Sequence, residues 1–267
     1  MTHTLVPLTR RRFGQTMRRD AWWVQPAVVF TILSSFVIYA TWAALQNAHY
    51  EYGPYLSPFY SPLLFADSPH AWIGHMPARW PGWLPFSPAL LILPFPGLFR
   101  LTCYYYRGAY YKAFWADPPS CSVGEPRSTY RGERSFPLIV QNIHRYLLYA
   151  ALVFLVILAS DVWHALWFPD AATGGTRFGI GVGTLILAIN VVLLGCYTLG
   201  CHSLRHIVGG YLDRLGGRPI RKRAYDCASC LNRWHMNWAW MSLFGVALAD
   251  LYVRLCSMGI LHDWRLL

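Results

Sequence analysis

Long apolar stretches separated by short polar segments dominate this chain of 267 residues. An α-helix needs roughly 20 consecutive apolar residues to cross a hydrocarbon core of about 30 Å. Stretches of that length occupy about residues 22–46, 83–106, 138–167, 178–204 and 236–255. The second stretch is interrupted by prolines. The pattern predicts an all-α integral membrane bundle of five transmembrane helices that forms a single domain over residues 1–267.

The composition agrees with a membrane location. Hydrophobic residues make up 55% of the chain and charged residues 13%, against roughly 25% charged residues in an average soluble domain. The arginine-rich start leads into an apolar stretch that is too long for the core of a cleavable signal peptide. We therefore expect the first span to remain in the membrane.

The distribution of basic residues predicts the orientation of the bundle. Of the 23 lysines and arginines, 17 lie in the segments 1–21, 106–137 and 204–233. Loops rich in these residues stay in the cytoplasm, so the N-terminus is expected inside and the C-terminus outside. The net charge of +11 follows this topology and the anionic lipid surface. It therefore does not indicate a nucleic-acid partner.

Polar and ionisable residues collect at the predicted cytoplasmic ends of the spans. They occur in four segments, residues 100–107, 141–146, 201–206 and 226–235. Because such residues are costly inside a membrane, their clustering at one depth indicates a functional site.

Within these segments, cysteine and histidine form a candidate metal site. Cys227 and Cys230 have the C-x2-C spacing with which two thiolates bind one metal from a tight turn, and a cytoplasmic location disfavours a disulfide between them. His202 and His206 share one helix face. The predicted ligands are Cys227, Cys230, His206 and His235, with His202, His144, Cys201 and Cys103 as alternates. Two thiolates and two imidazoles fit a Rieske-type 2Fe-2S cluster or a zinc ion equally well.

Four segments carry a resemblance to a known family: LTCYYYRGAYYKAFW, FPLIVQNIHRYLLY, GCHSLRH and CLNRWHMNWAWMSLFGVALADLYVRL. They cover about half of the chain and resemble the cytochrome b-like membrane anchors of bacterial succinate dehydrogenases and fumarate reductases. The resemblance implies a multi-pass protein of the bacterial plasma membrane with no activity on its own. It also implies a flavoprotein and an iron-sulfur subunit docked on the cytoplasmic face, and an assembly that can form higher oligomers.

The same resemblance implies that the chain reduces quinone as part of a succinate:quinone oxidoreductase. The predicted quinone-binding residues are His144, Arg145, Tyr105 and Trp238, although aromatic and basic residues also serve as anchors at membrane interfaces.

Asp250 and Arg254 stand four apart on the last span, a spacing typical of a structural ion pair.

The pattern of histidines departs from anchors that bind two hemes. Those anchors use histidines on the first, second, fourth and fifth helices, whereas the first span here has only His49 at its outer edge and the second has none. A single heme b between His144 and one of His202, His206 or His235 remains an alternative. We favour the Rieske-like cluster because of the cysteines at the same level. A structural anchor with zinc or no metal is a further alternative, while a stand-alone metal-dependent enzyme and a transporter fit less well.

Overall fold

The computed structural model describes residues 11–75, 87–129, 134–136, 138–170 and 173–267, and it is mostly helical. The four long helices are α1 (Val24–Gln46), α5 (His144–His164), α6 (Val182–Leu199) and α9 (His235–Ser257). The shorter helices are α2 (Pro88–Ile92), α3 (Pro94–Leu101), α4 (Tyr104–Phe114), α7 (His202–Gly209) and α8 (Pro219–Asn232). Two antiparallel hairpins pair β1 (Glu51–Tyr52) with β2 (Tyr55–Leu56), and β3 (Trp167–Asp170) with β4 (Gly175–Phe178).

Within the described residues, four helices are long and apolar enough to cross a membrane: Val24–Gln46, Leu138–His164, Val182–Leu199 and His235–Ser257. The second of these consists of α5 and the 3-10 helix Leu138–Ile143 that precedes it. Three of the four agree closely with predicted spans, and Val182–Leu199 lies within the longer span predicted at 178–204. The predicted span at 83–106 is instead divided among α2, α3 and α4, with its first residues outside the described part. Pro88 and Pro94 each begin a helix, because proline is tolerated in the first turn but interrupts the interior. Five full-length spans therefore remain a prediction.

The long helices expose much of their apolar surface. Val37, Ile38 and Val156 are each more than 60% exposed. A monomer in water rarely exposes so much continuous apolar surface, whereas lipid tails are equally apolar. The helices therefore form a bundle whose outside is suited to a bilayer.

Gly14, near the start of the described chain, and Leu267 lie at opposite ends of the bundle. The backbone N–H of Gly14 donates to the Gly124 carbonyl, in the loop that follows α4. At the other end, which we call the outer end, the backbone N–H of Ile180 donates to the Leu267 carbonyl, beside the β3–β4 hairpin. We call the end that contains the loop after α4 the inner end. That the inner end faces the cytoplasm remains the prediction made from the basic residues.

Helices α6 and α9 pack along each other and form the centre of the bundle. Gly183 lets α6 approach strand β2 closely, since a Cβ atom at position 183 would lie 2.5 Å from the ring of the buried Tyr55. At the inner end an aromatic core, including Phe99, Tyr106 and Tyr197, surrounds two buried cysteines. This core is where the polar helix ends meet.

Candidate functional site

Four helix ends meet in the inner core and bring together two cysteines and two histidines. Cys103 and Cys201 each have an extended backbone between two helices, as the residues just before α4 and α7. His144 and His235 are the first residues of α5 and α9. Both cysteines are 1% exposed and His235 is 2% exposed. These three residues are therefore shielded from water, whereas His144 is half-buried.

His144 is held by Thr102 and faces Cys201. The Thr102 hydroxyl donates to the Leu98 carbonyl at 2.8 Å, so its oxygen accepts from the Nδ1 atom of His144, also at 2.8 Å. The hydrogen on Nδ1 leaves Nε2 unprotonated in the neutral imidazole. This bare Nε2 atom lies 3.2 Å from the Cys201 sulfur, and its lone pair is available to a metal or to the thiol.

His235 has a similar position with fewer partners. Its Nε2 atom lies 3.7 Å from the Cys103 sulfur. Its Nδ1 atom is buried and has no hydrogen-bond partner among the described residues. Since a buried polar atom without a partner is costly, such an atom indicates a missing ligand or water.

Aromatic rings fix both imidazoles. Phe99 stacks on His144 with ring centres 4.7 Å apart and an interplanar angle of 5°. Tyr197 stacks on His235 at 4.9 Å and 21°. These rings restrict rotation of the imidazoles.

The four side chains form two cysteine–histidine pairs, Cys103 with His235 and Cys201 with His144. Beyond the two sulfur–nitrogen contacts, the two thiols interact electrostatically, as do the two imidazoles. Burial, with a smaller contribution from the neighbouring Cys103 thiol, raises the pKa of Cys201. Among the described residues, no three histidine, cysteine or acidic side chains converge on a single point suited to one metal ion. The cluster therefore offers two thiols and two imidazoles in neighbouring pairs rather than around one point.

The cysteines and histidines that meet in the structure differ from the four preferred ligands predicted from the sequence, Cys227, Cys230, His206 and His235. Of that set only His235 lies in the cluster, where it is joined by the alternates His144, Cys201 and Cys103. Cys227 and Cys230 are exposed near the end of α8. In a continuous helix their C-x2-C spacing does not form the tight turn that a metal knuckle needs.

The predicted histidine pair on α7 lies outside the cluster as well. His202 and His206 are exposed, and their Nε2 atoms are 2.9 Å apart. The prediction that they share one helix face is confirmed. Partial loss of contact with water and the charge of the neighbouring His206 lower the pKa of His202.

The predicted quinone-binding residues have different environments. His144 belongs to the cluster, and the Tyr105 ring centre is 5.1 Å from that of His235. Trp238 packs against the inner aromatic core, and its buried Nε1 atom has no hydrogen-bond partner in the described part of the chain. Arg145 is exposed at the start of α5. Of these residues, Trp238 has a hydrogen-bond donor without a partner among the described residues, and Tyr105 lies beside His235.

An apolar cavity of about 400 Å³ opens between α1, α3, α5 and α6. Phe99, Arg100 and Tyr197 are among its lining residues, so it reaches the aromatic rings that hold the two histidines. No histidine of the described chain lines this cavity. It therefore offers apolar space beside the cluster without an imidazole directed into it.

Two comparisons with known proteins give matches. The family model described as actinobacterial succinate dehydrogenase subunit SdhC matches residues 24–259. The chain is also similar to a chain in the structure described as the Mycobacterium smegmatis Sdh1 complex in the apo form. The identity is 39%, all of both chains is covered, and the TM-score is 0.86. A search of curated proteins found no match.

Proposed function

Since this chain belongs to the actinobacterial succinate dehydrogenase subunit SdhC family, we propose that it reduces quinone through a Cys/His-ligated centre at the inner end of its bundle. As a member of that family it is the non-flavin membrane anchor of succinate dehydrogenase, a multi-pass protein of the bacterial plasma membrane. Its partners are the flavoprotein and iron-sulfur subunits of the complex. The resemblance noted from the sequence is confirmed.

The observation that carries the proposal is the meeting of the buried Cys103, Cys201 and His235 with the half-buried His144 in the inner core. Two thiolates and two imidazoles are the donor set of a Rieske-type 2Fe-2S cluster, in which Cys103 and Cys201 would hold one iron and His144 and His235 the other. Bound there, such a cluster accepts and passes on single electrons at a higher potential than an all-cysteine cluster. The bare Nε2 of His144 and the unpartnered Nδ1 of His235 fit this use.

Neighbouring residues prepare the site. Thr102 fixes the tautomer of His144, which is the usual role of a hydrogen-bond partner behind a metal ligand. Phe99 and Tyr197 stack on the two imidazoles. Together with the aromatic core they exclude water, which keeps the local dielectric constant low.

The alternatives named from the sequence fit these positions less well. A zinc ion needs four donors around one point, and no such group of three or more occurs among the described residues. A heme between helices needs an imidazole directed at its iron, and the described lining of the apolar cavity has none. A cofactor-free anchor would leave two buried thiols, the buried His235 and the half-buried His144 without a role.

We place the quinone ring beside His235, within reach of Trp238 and Tyr105. The Nε1–H of Trp238 is a buried donor without an acceptor among the described residues, and a quinone carbonyl is a suitable acceptor. Tyr105 contributes an aromatic face next to His235. These residues bind and orient the ring close to the ligands of the proposed centre.

Low-temperature electron paramagnetic resonance of the purified, dithionite-reduced complex tests the centre. We expect a signal of low average g beyond those of the iron-sulfur subunit, with no Soret band in the optical spectrum. Cys201→Ser should abolish this signal. The matched control Cys230→Ser, which changes an exposed thiol, should retain it.

Three results would contradict the proposal. Loss of the signal in Cys230→Ser but not in Cys201→Ser would return the ligands to the set first predicted from the sequence. A Soret band would indicate heme b. A complex that reduces quinone without either feature would show that the chain is a cofactor-free anchor.

A further inference from the structure

Arg100 places a positive charge beside the cysteine–histidine cluster. It lies in the last turn of α3. Its Nη1 atom donates to the Tyr106 hydroxyl at 2.8 Å and to the Ala239 carbonyl at 3.2 Å, and its Nη2 atom donates to the Ser242 hydroxyl at 3.0 Å. The guanidinium therefore bridges α3 and α9, and all of these acceptors are neutral.

No carboxylate neutralises this guanidinium in the described part of the chain. The ion pairs found there involve other residues, and the one buried pair, Asp250 with Arg254, belongs to the outer end. Arginine remains charged in proteins, and a charged side chain in a membrane is normally paired or functional. Neutral hydrogen bonds hold Arg100 in position, and no carboxylate of the described residues compensates its charge.

The guanidinium is close to the ligands of the proposed centre. Its Cζ atom lies 4.9 Å from the centre of the Tyr197 ring, which in turn stacks on His235 at 4.9 Å. Arg100 and His235 interact electrostatically. Along the chain, the backbone N–H of Cys103 donates to the Arg100 carbonyl at 3.1 Å. The fixed cation is thus separated from His235 by the Tyr197 ring.

We propose that Arg100 raises the reduction potential of the Cys/His-ligated centre, as a positioning residue that acts through its charge; this inference rests on the function proposed above. Reduction by one electron makes the centre more negative by one charge. A fixed cation nearby stabilises the reduced form relative to the oxidised form, and the effect is large where water is excluded. Without that charge, the centre would hold its electron less strongly.

A redox titration of the low-g signal in the intact complex measures this effect. Arg100→Gln should shift the ratio of reduced to oxidised centre about tenfold toward the oxidised form, which is about 59 mV lower in potential for a one-electron couple. Arg100→Lys keeps the charge and should retain most of the wild-type potential. Arg233→Gln removes a cation two residues from His235 whose side chain is exposed; because solvent screens that charge, the shift should be much smaller.

A second pair of variants keeps Arg100 and changes its surroundings. Ser242→Asp places a carboxylate next to Nη2 and should lower the potential, as Arg100→Gln does. Ser242→Ala removes the same hydrogen bond without adding charge and should shift the potential less. If the Arg100→Gln complex does not assemble, this pair of variants still tests whether the charge of Arg100 raises the reduction potential of the centre.

The possible failures are distinguishable. If the wild-type complex lacks the low-g signal, the proposed function fails and the role of Arg100 fails with it. If the signal is present but Arg100→Gln and Ser242→Asp leave its potential at the wild-type value, only the role of Arg100 is overturned. The same conclusion follows if Arg100→Lys shifts the potential as far as Arg100→Gln.

Discussion

The Nε2 atom of His144 lies 3.2 Å from the sulfur of Cys201, although the two residues are 57 positions apart in the chain. The contact joins the start of α5 to the break between α6 and α7. It is a consequence of where two membrane helices end. The hydrogen bond between His144 and Thr102 sets which imidazole nitrogen faces the sulfur, and this leads to a first prediction.

Thr102→Val should reduce assembly of the centre while leaving the fold intact. Valine has the same shape but cannot accept the hydrogen bond from Nδ1 of His144. Loss of a partner behind a metal ligand typically costs about 10- to 100-fold in affinity or activity. We expect succinate:quinone activity and iron content per complex to fall.

Thr31→Val is the matched control for Thr102→Val. Thr31 makes the same kind of bond, to the carbonyl of Ala27 at 3.0 Å, but on the exposed surface of α1. It should retain full iron content. Equal iron content in both variants would show that Thr102 does not support a ligand.

Trp238→Phe should weaken quinone binding specifically. The substitution removes the indole N–H that has no partner among the described residues and keeps an aromatic ring. One hydrogen bond of about 0.5–1.5 kcal/mol corresponds to a rise of about 2- to 13-fold in KM for quinone. Reduction of a soluble dye by the catalytic subunits should not change.

Trp163→Phe, at the exposed outer end of α5, is the control for the loss of an indole. Its KM should match that of the wild type. A fall in kcat at unchanged KM in Trp238→Phe would place the quinone ring elsewhere.

The long helices could be predicted from the sequence because hydropathy reports directly on contact with lipid. The span predicted at 236–255 corresponds to His235–Ser257, and that at 22–46 corresponds to Val24–Gln46. The fourth span was predicted too long at both ends. Phe178 pairs in a hairpin, and the helix ends at Leu199, just before Gly200 and Cys201. An apolar run does not show where a backbone leaves the helix.

The site could be predicted only in part. That the polar helix ends share one level follows from topology, and the contacts of Cys103, His144, Cys201 and His235 confirm that these ends meet. Which donors converge depends on how each helix is rotated, and the sequence contains no direct information on that. The local C-x2-C spacing made Cys227 and Cys230 the preferred ligands, whereas the cysteines that lie in the cluster, Cys103 and Cys201, are 98 positions apart in the chain.

Reporter fusions should show the N-terminus in the cytoplasm and the C-terminus outside. The contacts of Gly14 and Leu267 lie at opposite ends of the bundle, and the basic loops are expected to stay inside. Alkaline phosphatase fused after Leu267 should be active, whereas the same enzyme fused after Gly216 should be inactive. Activity at both positions, or at neither, would contradict the predicted topology.

Gly183→Ala should destabilise the outer end of the bundle. The added Cβ atom would lie 2.5 Å from the Tyr55 ring, and Tyr55 cannot easily move because its hydroxyl donates to Asp263 at 2.8 Å. Overpacking of this kind typically costs about 1–3 kcal/mol. Thermal unfolding of the purified complex should occur at a lower temperature.

Gly108→Ala provides the control for Gly183→Ala. Gly108 lies within α4, and no described atom lies within 4 Å of the position that its Cβ would take. Since alanine favours a helix over glycine by roughly 0.8–1 kcal/mol, this variant should unfold at the same or a higher temperature. Equal destabilisation by both variants would mean that the contact with Tyr55 does not matter.

Asp250→Asn should lower stability more than any change to a surface ion pair. Asp250 is fully buried, lies 3.4 Å from Arg254, and accepts hydrogen bonds from Tyr39 and Ser57. Arg254 also donates to the Ala48 carbonyl at 2.9 Å, so the pair connects α9 to the end of α1 and to the segment that follows it. Asparagine would leave the guanidinium buried without its counter-charge, at a cost of about 3 kcal/mol or more.

The exposed pair formed by Lys222 and Asp226 on α8 separates this effect from a general loss of charge. It has the same spacing of four residues, but both side chains are more than half exposed, and such pairs contribute little. Asp226→Asn should therefore leave the unfolding temperature of the complex almost unchanged, while Asp250→Asn lowers it by several degrees. Because the buried pair lies at the outer end, far from the cysteine–histidine cluster, Asp250→Asn should keep the low-g signal in whatever complex remains folded. Loss of the signal in folded complex would mean that the outer ion pair also supports the inner site, which the contacts described above do not predict.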